Sequence, residues 1–447
     1  MKIKVAGAGA GKTTSLAEEV YYSYQNNSKN IYCLSYTNAS VETIEERLRK
    51  KFDGEIPERI IVSTIHKFLY QELIKPYNFF LYQIDYDRIV NIKFDNLKYR
   101  NSKIKQLKDN KILHVEEIPQ VARYILLDKS LDRKKTKLIR EKLKELICSY
   151  IGIIYVDECQ DIDKHVKEIL TEFSQLDIKV TLIGDPKQDI SGLNVFSGLL
   201  NDIDSIENRI EYINLNYRCP KEHIEFFNQF VPDEQKQFSP IEKSGELSFV
   251  FQDEVTEINK FIKEFELVYI YQKRGIFETQ QNKKFENTFT ELIQILRNKK
   301  VKETEIIMCS SKIAAYFIYS VNNGKAINKT IQSIFRYGSI DSKEYKTLES
   351  AIIMDVKSID NGSEKNSILV NSIHNVKGLE EENCLFIITN AMMPYLLREK
   401  VNLKMNSILY VGLSRSLSNL CLFFHEETVE RYGRDIINNL MKDYATV

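Results

Sequence analysis

Two short stretches hold residue types that act together on a triphosphate: VAGAGAGKTT, from Val5 to Thr14, and VDECQD, from Val156 to Asp161. Gly7, Gly9 and Gly11 let the backbone curl so that successive N–H groups face a phosphate at the start of a helix. Lys12 is placed to reach the β- and γ-phosphates and Thr13 to ligate Mg²⁺, with Thr14 next to it in the same cradle. Asp157 and Glu158 supply the complementary half. Asp157 would hold Mg²⁺ through water, and Glu158 would polarise an attacking water. One position departs from the G-x-x-x-x-G-K-T spacing, since Ala6 stands where the first glycine belongs. A glycine-rich turn with an incidental lysine is the plain alternative for the loop alone, and acidic pairs at strand ends are commonly solvated surface. The two features together are much less commonly an accident.

These side chains need particular elements behind them. KIKVAG reads as a short apolar strand running into the loop, and GKTTSLAEEVYYSY as the amphipathic helix after it. In GIIYVDECQDIDKH an apolar run ends in Asp157 and Glu158, the form of a buried parallel strand presenting carboxylates at its C-terminal edge. Farther on, ELSFVF, ELVYIYQKRG and TEIIMCSS read as strands, and NTFTELIQILRNKK and EYKTLESAIIMDVKSI as helices. SIDNGSEKNS reads as a surface loop before the strand ILVNSI.

At 447 residues the chain is long enough for two or three domains, with the apolar and charged content of a globular protein. Its net charge is zero, so a polyanion must be met by a local patch. Such a patch is visible between Arg88 and Ile147, where 17 Lys/Arg face 8 Asp/Glu. A solvated helix face is the bland reading of that run; its place between two catalytic stretches favours a phosphate-contacting surface. The seven cysteines lack C-x-x-C spacing, which argues for reduced thiols and against structural zinc. No apolar run approaches the ~20 residues that span a bilayer, so a cytoplasmic location is expected.

Eight segments, in order, carry a resemblance. AGAGAGKTT is followed by SYTNASVETIEERL (Ser35 to Leu48), VSTIHKF (Val62 to Phe68), VDECQD, LIGDPKQDI (Leu182 to Ile190) and LNYRCP (Leu215 to Pro220). NSIHNVKGLE (Asn371 to Glu380) and LYVGLSRS (Leu409 to Ser416) complete the set. It resembles the UvrD/Rep/PcrA branch of superfamily 1 helicases and translocases. The resemblance implies an α/β fold of two RecA-like P-loop NTPase domains with parallel sheets, plus a small helical insertion in the first. The boundaries it suggests are 1–87 and 148–210 for the first domain, 88–147 for the basic insertion, and 211–447 for the second domain with a reduced accessory insertion.

It also implies roles. ATP would sit between the two domains, with Gln188 as γ-phosphate sensor and Gln160 organising the hydrolytic end. Arg218 and Arg415 would be the arginine fingers, Tyr217 would stack on adenine, and Glu380 would meet the ribose. Tyr36, Thr37, Asn38, Thr64, His66 and His374 lie in motifs that face single-stranded DNA, although an isolated Thr or His at a strand end is more often structural. A 3′-to-5′ translocase or helicase, DNA-dependent in its ATPase, is the leading expectation.

Three departures qualify it. The family's adenine-reading glutamine segment would lie upstream of the loop, where only four residues precede Val5, so more selectivity falls on Tyr217. After GDPKQ the chain reads DISGLNVFSG, with Phe196 the one aromatic in place of a fuller base-pinching set. The spacing between Arg218 and His374 implies an accessory insertion cut down or absent. Short relatives of this shape are the helicase-like half of antiphage systems such as Gabija, whose partner is a nuclease. The alternative reading is therefore an ATP-sensing regulatory subunit of a nuclease complex.

Overall fold

The computed structural model describes residues 1–91, 97–129, 132–203, 209–279, 286–299, 301, 303–336, 338–360, 368–442 and 444. Its strands are β1 (Lys2–Ala6), β2 (Asn30–Ser35), β3 (Ile60–Thr64), β4 (Arg88–Val90), β5 (Ile112–His114), β6 (Ile151–Val156) and β7 (Lys179–Gly184). They continue with β8 (Ile210–Ile213), β9 (Glu246–Phe251), β10 (Leu267–Ile270), β11 (Phe277–Thr279), β12 (Ile368–Ser372), β13 (Glu381–Ile388) and β14 (Ser416–Phe424). The chain forms two compact units, one of Met1–Tyr271 with Ile373–Val447 and one of Gln272–Ser372.

The larger unit holds two RecA-like α/β lobes. In the first, parallel strands run in the order β3-β2-β6-β7-β1-β8. One face packs Leu34, Val156 and Leu182 against Phe68, Ile169 and Phe173; the other packs Cys33, Ile153 and Tyr155 against Leu16, Val20 and Ile44. Burial on both faces explains why these strands read as near-continuous apolar runs. In the second lobe β10, β13, β14 and β9 run parallel in that order. Its core joins Leu385-flanking Cys384 and Phe386 with Leu420, Leu422 and the helix Leu403–Leu413. In open parallel sheets ligands gather at the carboxyl ends of the strands. Both the phosphate loop after β1 and the carboxylates after β6 stand there.

The insertion between Arg88 and Ile147 is helical, and it also carries the parallel pair β4–β5. Much of its charge is matched internally or by neighbours. Arg100 pairs with Glu116 at 2.5 Å, Lys137 with Asp128 at 2.9 Å, and Lys144 with Glu172 at 2.8 Å. Arg140 is buried and pairs with both Asp128 and Asp132 at 2.5 Å. Arg133, Lys134, Lys135 and Lys142 are exposed.

The smaller unit pairs β11 with β12 in parallel and builds its core from helices Glu286–Asn298, Glu303–Asn322, Ile327–Ile334 and Ser342–Asp360. TEIIMCSS, read from sequence as a strand, lies in the second of these. Buried Ile306, Ser310, Ala314, Phe317 and Ile318 follow the 3.6-residue period, which an eight-residue window is too short to reveal. Of SIDNGSEKNS, residues 358–360 close a helix and the remainder lies outside the described residues. Among the described residues no helix is long and apolar enough to cross a membrane.

Candidate nucleotide site

The loop from Gly7 to Gly11 links β1 to the helix Lys12–Gln25. Gly9 (φ 69°) and Gly11 (φ 71°) occupy the left-handed region, where a Cβ is unfavourable. Ala6 closes β1 opposite Ile213 in ordinary strand conformation, so the missing first glycine costs the loop nothing. Gly7 is needed for another reason: a Cβ there would run into the Gln237 carboxamide.

Asp157 and Glu158 follow β6, and the Asp157 N–H donates to Leu34 O at 2.8 Å. The Thr13 hydroxyl lies 3.4 Å from Asp157 Oδ2, while Oδ1 accepts from the Glu158 N–H at 2.9 Å. Glu158 has φ 56°, a left-handed conformation that is uncommon for a non-glycine residue and concentrated at functional sites. Its carboxylate lies 3.7 Å from Lys12 Nζ and accepts from Gln160 Nε2. Gln160 Oε1 accepts from the Asp185 N–H at 3.0 Å, and Asp185 Oδ2 accepts from Gln188 Nε2 at 3.0 Å. A hydrogen-bonded line thus runs from Glu158 to Gln188.

Burial, reinforced by the Glu158 charge, pushes the Asp157 carboxyl up to about 6. Among the described residues no Lys, Arg or His lies within ion-pair reach of it. A buried carboxylate beside a hydroxyl is a hard-oxygen donor set that fits Mg²⁺, which takes only one or two protein ligands when phosphates supply others. For Glu158 burial opposes ionisation, yet Lys12, then Lys377, hold its carboxyl below the usual range.

The second lobe reaches the same cleft. Arg218 pairs with Glu380 at 2.5 Å, and its Nη1 lies 3.5 Å from Ser414 O. A Cβ on Gly9 would stand 2.5 Å from Arg218 Cβ, so Arg218 sits directly on the phosphate loop. Tyr217 donates its N–H to Gly9 O at 2.9 Å and leaves its ring exposed. Arg415 is 1% exposed. Its guanidinium donates to Val411 O (2.9 Å), Leu379 O (3.2 Å) and Ser414 Oγ (3.0 Å), with no carboxylate in ion-pair reach among the described residues. Burial and then the Arg218 charge lower its pKa. Thr14 starts the same helix as Lys12 and Thr13.

The pairing of Ser35 with Thr64 brings Tyr36, Thr37, Asn38, Thr64 and His66 to one sheet edge. Tyr36 and His66 meet edge-on at 5.5 Å. Thr37 accepts from the Ser40 N–H at 3.1 Å and Thr64 from the Lys67 N–H at 3.3 Å, so both hydroxyls cap helices. Asn38 begins the helix Asn38–Lys51 and is exposed. His374 lies against Tyr271 at 6.2 Å, and burial, then Lys404, lowers its pKa. Phe196 is buried in the first-lobe core and offers no face to a base.

Four residues without an assigned role belong to this cleft. Lys377 grips both Asp161 oxygens, at 2.6 and 2.7 Å, across the lobes. Tyr410 and Gln237 bond to the phosphate loop itself. Lys377, Asp161 and Tyr410 lie inside the motif segments, whereas nothing around Gln237 marks it.

Residues 1–194 match the AAA domain family. The chain is 28% identical over 235 residues to the Gabija protein GajB of Bacillus cereus (strain VD045), covering 50% of this chain and 45% of GajB. It is 22% identical over 284 residues to a probable DNA helicase II homolog of Mycoplasma genitalium, covering 52% and 40% respectively. A GajB of Bacillus cereus (strain HuB5-5) is 34% identical over 91 residues, 19% of this chain and 12% of that one. The chain thus spans less than half the length of the relatives it matches. The AAA domain match over residues 1–194 and the likeness to GajB and to a DNA helicase II homolog agree with the resemblance to UvrD-like superfamily 1 helicases that the ordered motifs carry.

Proposed function

We propose that this chain is an ATP-dependent DNA translocase or helicase that hydrolyses ATP between its two RecA-like lobes and is stimulated by single-stranded DNA. The 3′-to-5′ polarity is carried over from the family resemblance. The observation that bears most weight is Arg415, a buried cation with no carboxylate partner among the described residues and three hydrogen bonds to neutral oxygens. An uncompensated buried charge is costly unless an anion comes to meet it.

In this reading Lys12 and the loop N–H groups hold the phosphates, and Tyr217 offers its ring to the base. Thr13 and Asp157 would hold Mg²⁺, which neutralises charge on the phosphate oxygens when bound. Glu158, ionised at neutral pH, accepts the proton of the attacking water, while Gln160 fixes its carboxylate. Arg218 and Arg415 stabilise the charge that develops at the γ-phosphoryl oxygens. The edge bearing Tyr36 and His66, with His374 and Tyr271, supports a strand-binding role. The exposed cations Arg133, Lys134, Lys135 and Lys142 support phosphate contact by the insertion.

ATP turnover with and without single-stranded DNA tests the proposal. Lys12→Ala is expected to abolish turnover, and Glu158→Gln to retain bound ATP without hydrolysing it. Absence of stimulation by any strand would remove the motor. The likeness to GajB favours a second reading, an ATP-sensing subunit that works with a nuclease in antiphage defence. Turnover appearing only after the neighbouring gene's product is added would select it.

A further inference from the structure

Ala8, in the middle of the phosphate loop, is buried, and both of its backbone polar groups are bonded from outside the first lobe's sheet. Its N–H donates to the Tyr410 hydroxyl at 2.9 Å, and its carbonyl accepts from Gln237 Nε2 at 3.0 Å. The ring closes because the Tyr410 hydroxyl donates to Gln237 Oε1 at 2.9 Å. A phenol has one proton: accepting from Ala8, it must send its own to Gln237. Two side chains therefore stand in for the backbone partner a strand would give Ala8. Gln237 is fixed in turn, since its N–H and C=O both bond the Asn228 side chain, at 2.9 and 2.7 Å.

Tyr410 belongs to the helix Leu403–Leu413, whose residues from Ser407 onward are all buried. Arg415 follows at its end and binds back to Val411 O on the same last turn. The same turn is held by the Tyr269 hydroxyl, which donates to Gly412 O at 2.6 Å. We propose that the Tyr410 hydroxyl, ringed with Gln237 and Ala8, is a positioning element that makes the phosphate loop and Arg415 move as one body. Its two bonds are to the loop and to Gln237, so in this proposal it acts through them and not on the nucleotide. The distance from Ala8 to Arg415 is set by one rigid helical turn, so the loop cannot shift without carrying the guanidinium with it. This rests on the proposed ATP turnover for its functional consequence, and on the bonds alone for its mechanical one.

Tyr410→Phe in the full chain removes the hydroxyl and keeps the ring's volume; Gln237→Leu removes the other partner. Amide hydrogen exchange over residues 5–14 is expected to rise about tenfold in either variant, since each removes one of the two hydrogen bonds that hold Ala8. The helix 403–413 should follow, with β6 unchanged. With single-stranded DNA present, kcat for ATP should fall about tenfold while KM changes by less than about twofold, because Lys12 and Thr13 are untouched. The double variant should be little worse than either single one, as for members of one ring. A merely structural loosening would raise KM instead. Unchanged exchange in Tyr410→Phe would overturn the ring, and faster exchange with normal kcat, or with a loss confined to KM, would overturn the positioning role. A wild-type chain without DNA-stimulated turnover would remove the proposed function, and exchange over the loop and helix together would then decide the single-body claim by itself.

Discussion

Arg415→Gln separates stability from catalysis because the guanidinium is buried without an ion-pair partner. Removing an arginine from a buried ion pair costs about 3–5 kcal/mol, since a carboxylate is stranded. Here none would be. The side chain gives up three hydrogen bonds to Val411 O, Leu379 O and Ser414 Oγ, of which a glutamine carboxamide can remake one. The two lost bonds are charge-assisted and worth roughly 1.5–3 kcal/mol each. Against them stand the desolvation of a buried cation, several kcal/mol in effect, and relief of repulsion from Arg218. The balance lies near zero, within about 1–2 kcal/mol, so the first melting transition should shift by only a few degrees, on the order of 2–4 °C per kcal/mol. Turnover should suffer far more, by about 10³–10⁵-fold if Arg415 acts as an arginine finger. Differential scanning fluorimetry and DNA-stimulated phosphate release on one preparation give both numbers. A variant that melts as if an ion pair had been broken, or that hydrolyses ATP at the wild-type rate, would show that Arg415 is not an unpaired arginine finger.

Gly7→Ala and Gly11→Ala should fail differently. At Gly7 a Cβ stands on the Gln237 amide, 2.5 Å from its Cδ, and should part the lobes and speed exchange at Ala8; at Gly11 space is open and only φ 71° is strained, so weaker nucleotide binding without lobe loosening is expected. Calorimetric ATP binding beside hydrogen exchange distinguishes them. Tyr217→Ala removes a half-exposed ring that the proposal stacks on adenine. Stacking of a base on an aromatic is worth about 1–3 kcal/mol, so KM for ATP should rise roughly tenfold or more with kcat nearly kept, and discrimination against GTP should narrow.

The placement of the first lobe's candidate residues is legible because they follow directly on strand ends. The apolar run to Val156 must deliver Asp157 and Glu158 at a sheet edge, and the loop after Ala6 can face only the same edge. What one residue's neighbours in sequence cannot reveal is its partner across the cleft. Ala8 and Gln237 meet at a separation of 229 positions, and the 402 positions between Ala8 and Tyr410 hide the ring that joins them. The left-handed turn at Glu158 is equally silent, since glutamate does not advertise positive φ. Thr37 and Thr64 fit the structural alternative that the sequence already offered for them. Both precede helices, where a threonine hydroxyl caps, and the structure gives each that task. TEIIMCSS in the smaller unit reads as a strand yet forms a helix, because β-branched and apolar residues in a short window satisfy either period.

The ion pairs of the cleft also define what the proposed nucleotide would have to exchange. Lys12 is 3.7 Å from Glu158, Lys377 2.6 Å from Asp161 and Arg218 2.5 Å from Glu380, which leaves Arg415 as the one of these four cations without a carboxylate. If ATP binds as proposed, its phosphates compete with Glu158 for Lys12 and with Glu380 for Arg218. Each is an exchange of one anion for another, so its electrostatic cost is small. Arg415 would acquire an anion in ion-pair reach, where this structure gives it none among the described residues. Glu380, released from Arg218 and already half exposed, becomes free to turn to the ribose, the role the family resemblance gives it. The Asp161–Lys377 pair, which joins the lobes in this structure, is not among the pairs the proposal exchanges. On the same proposal, loss of phosphate would restore the protein's own pairs and leave Arg415 without a carboxylate again, so the resting state would be recovered through contacts the chain already contains.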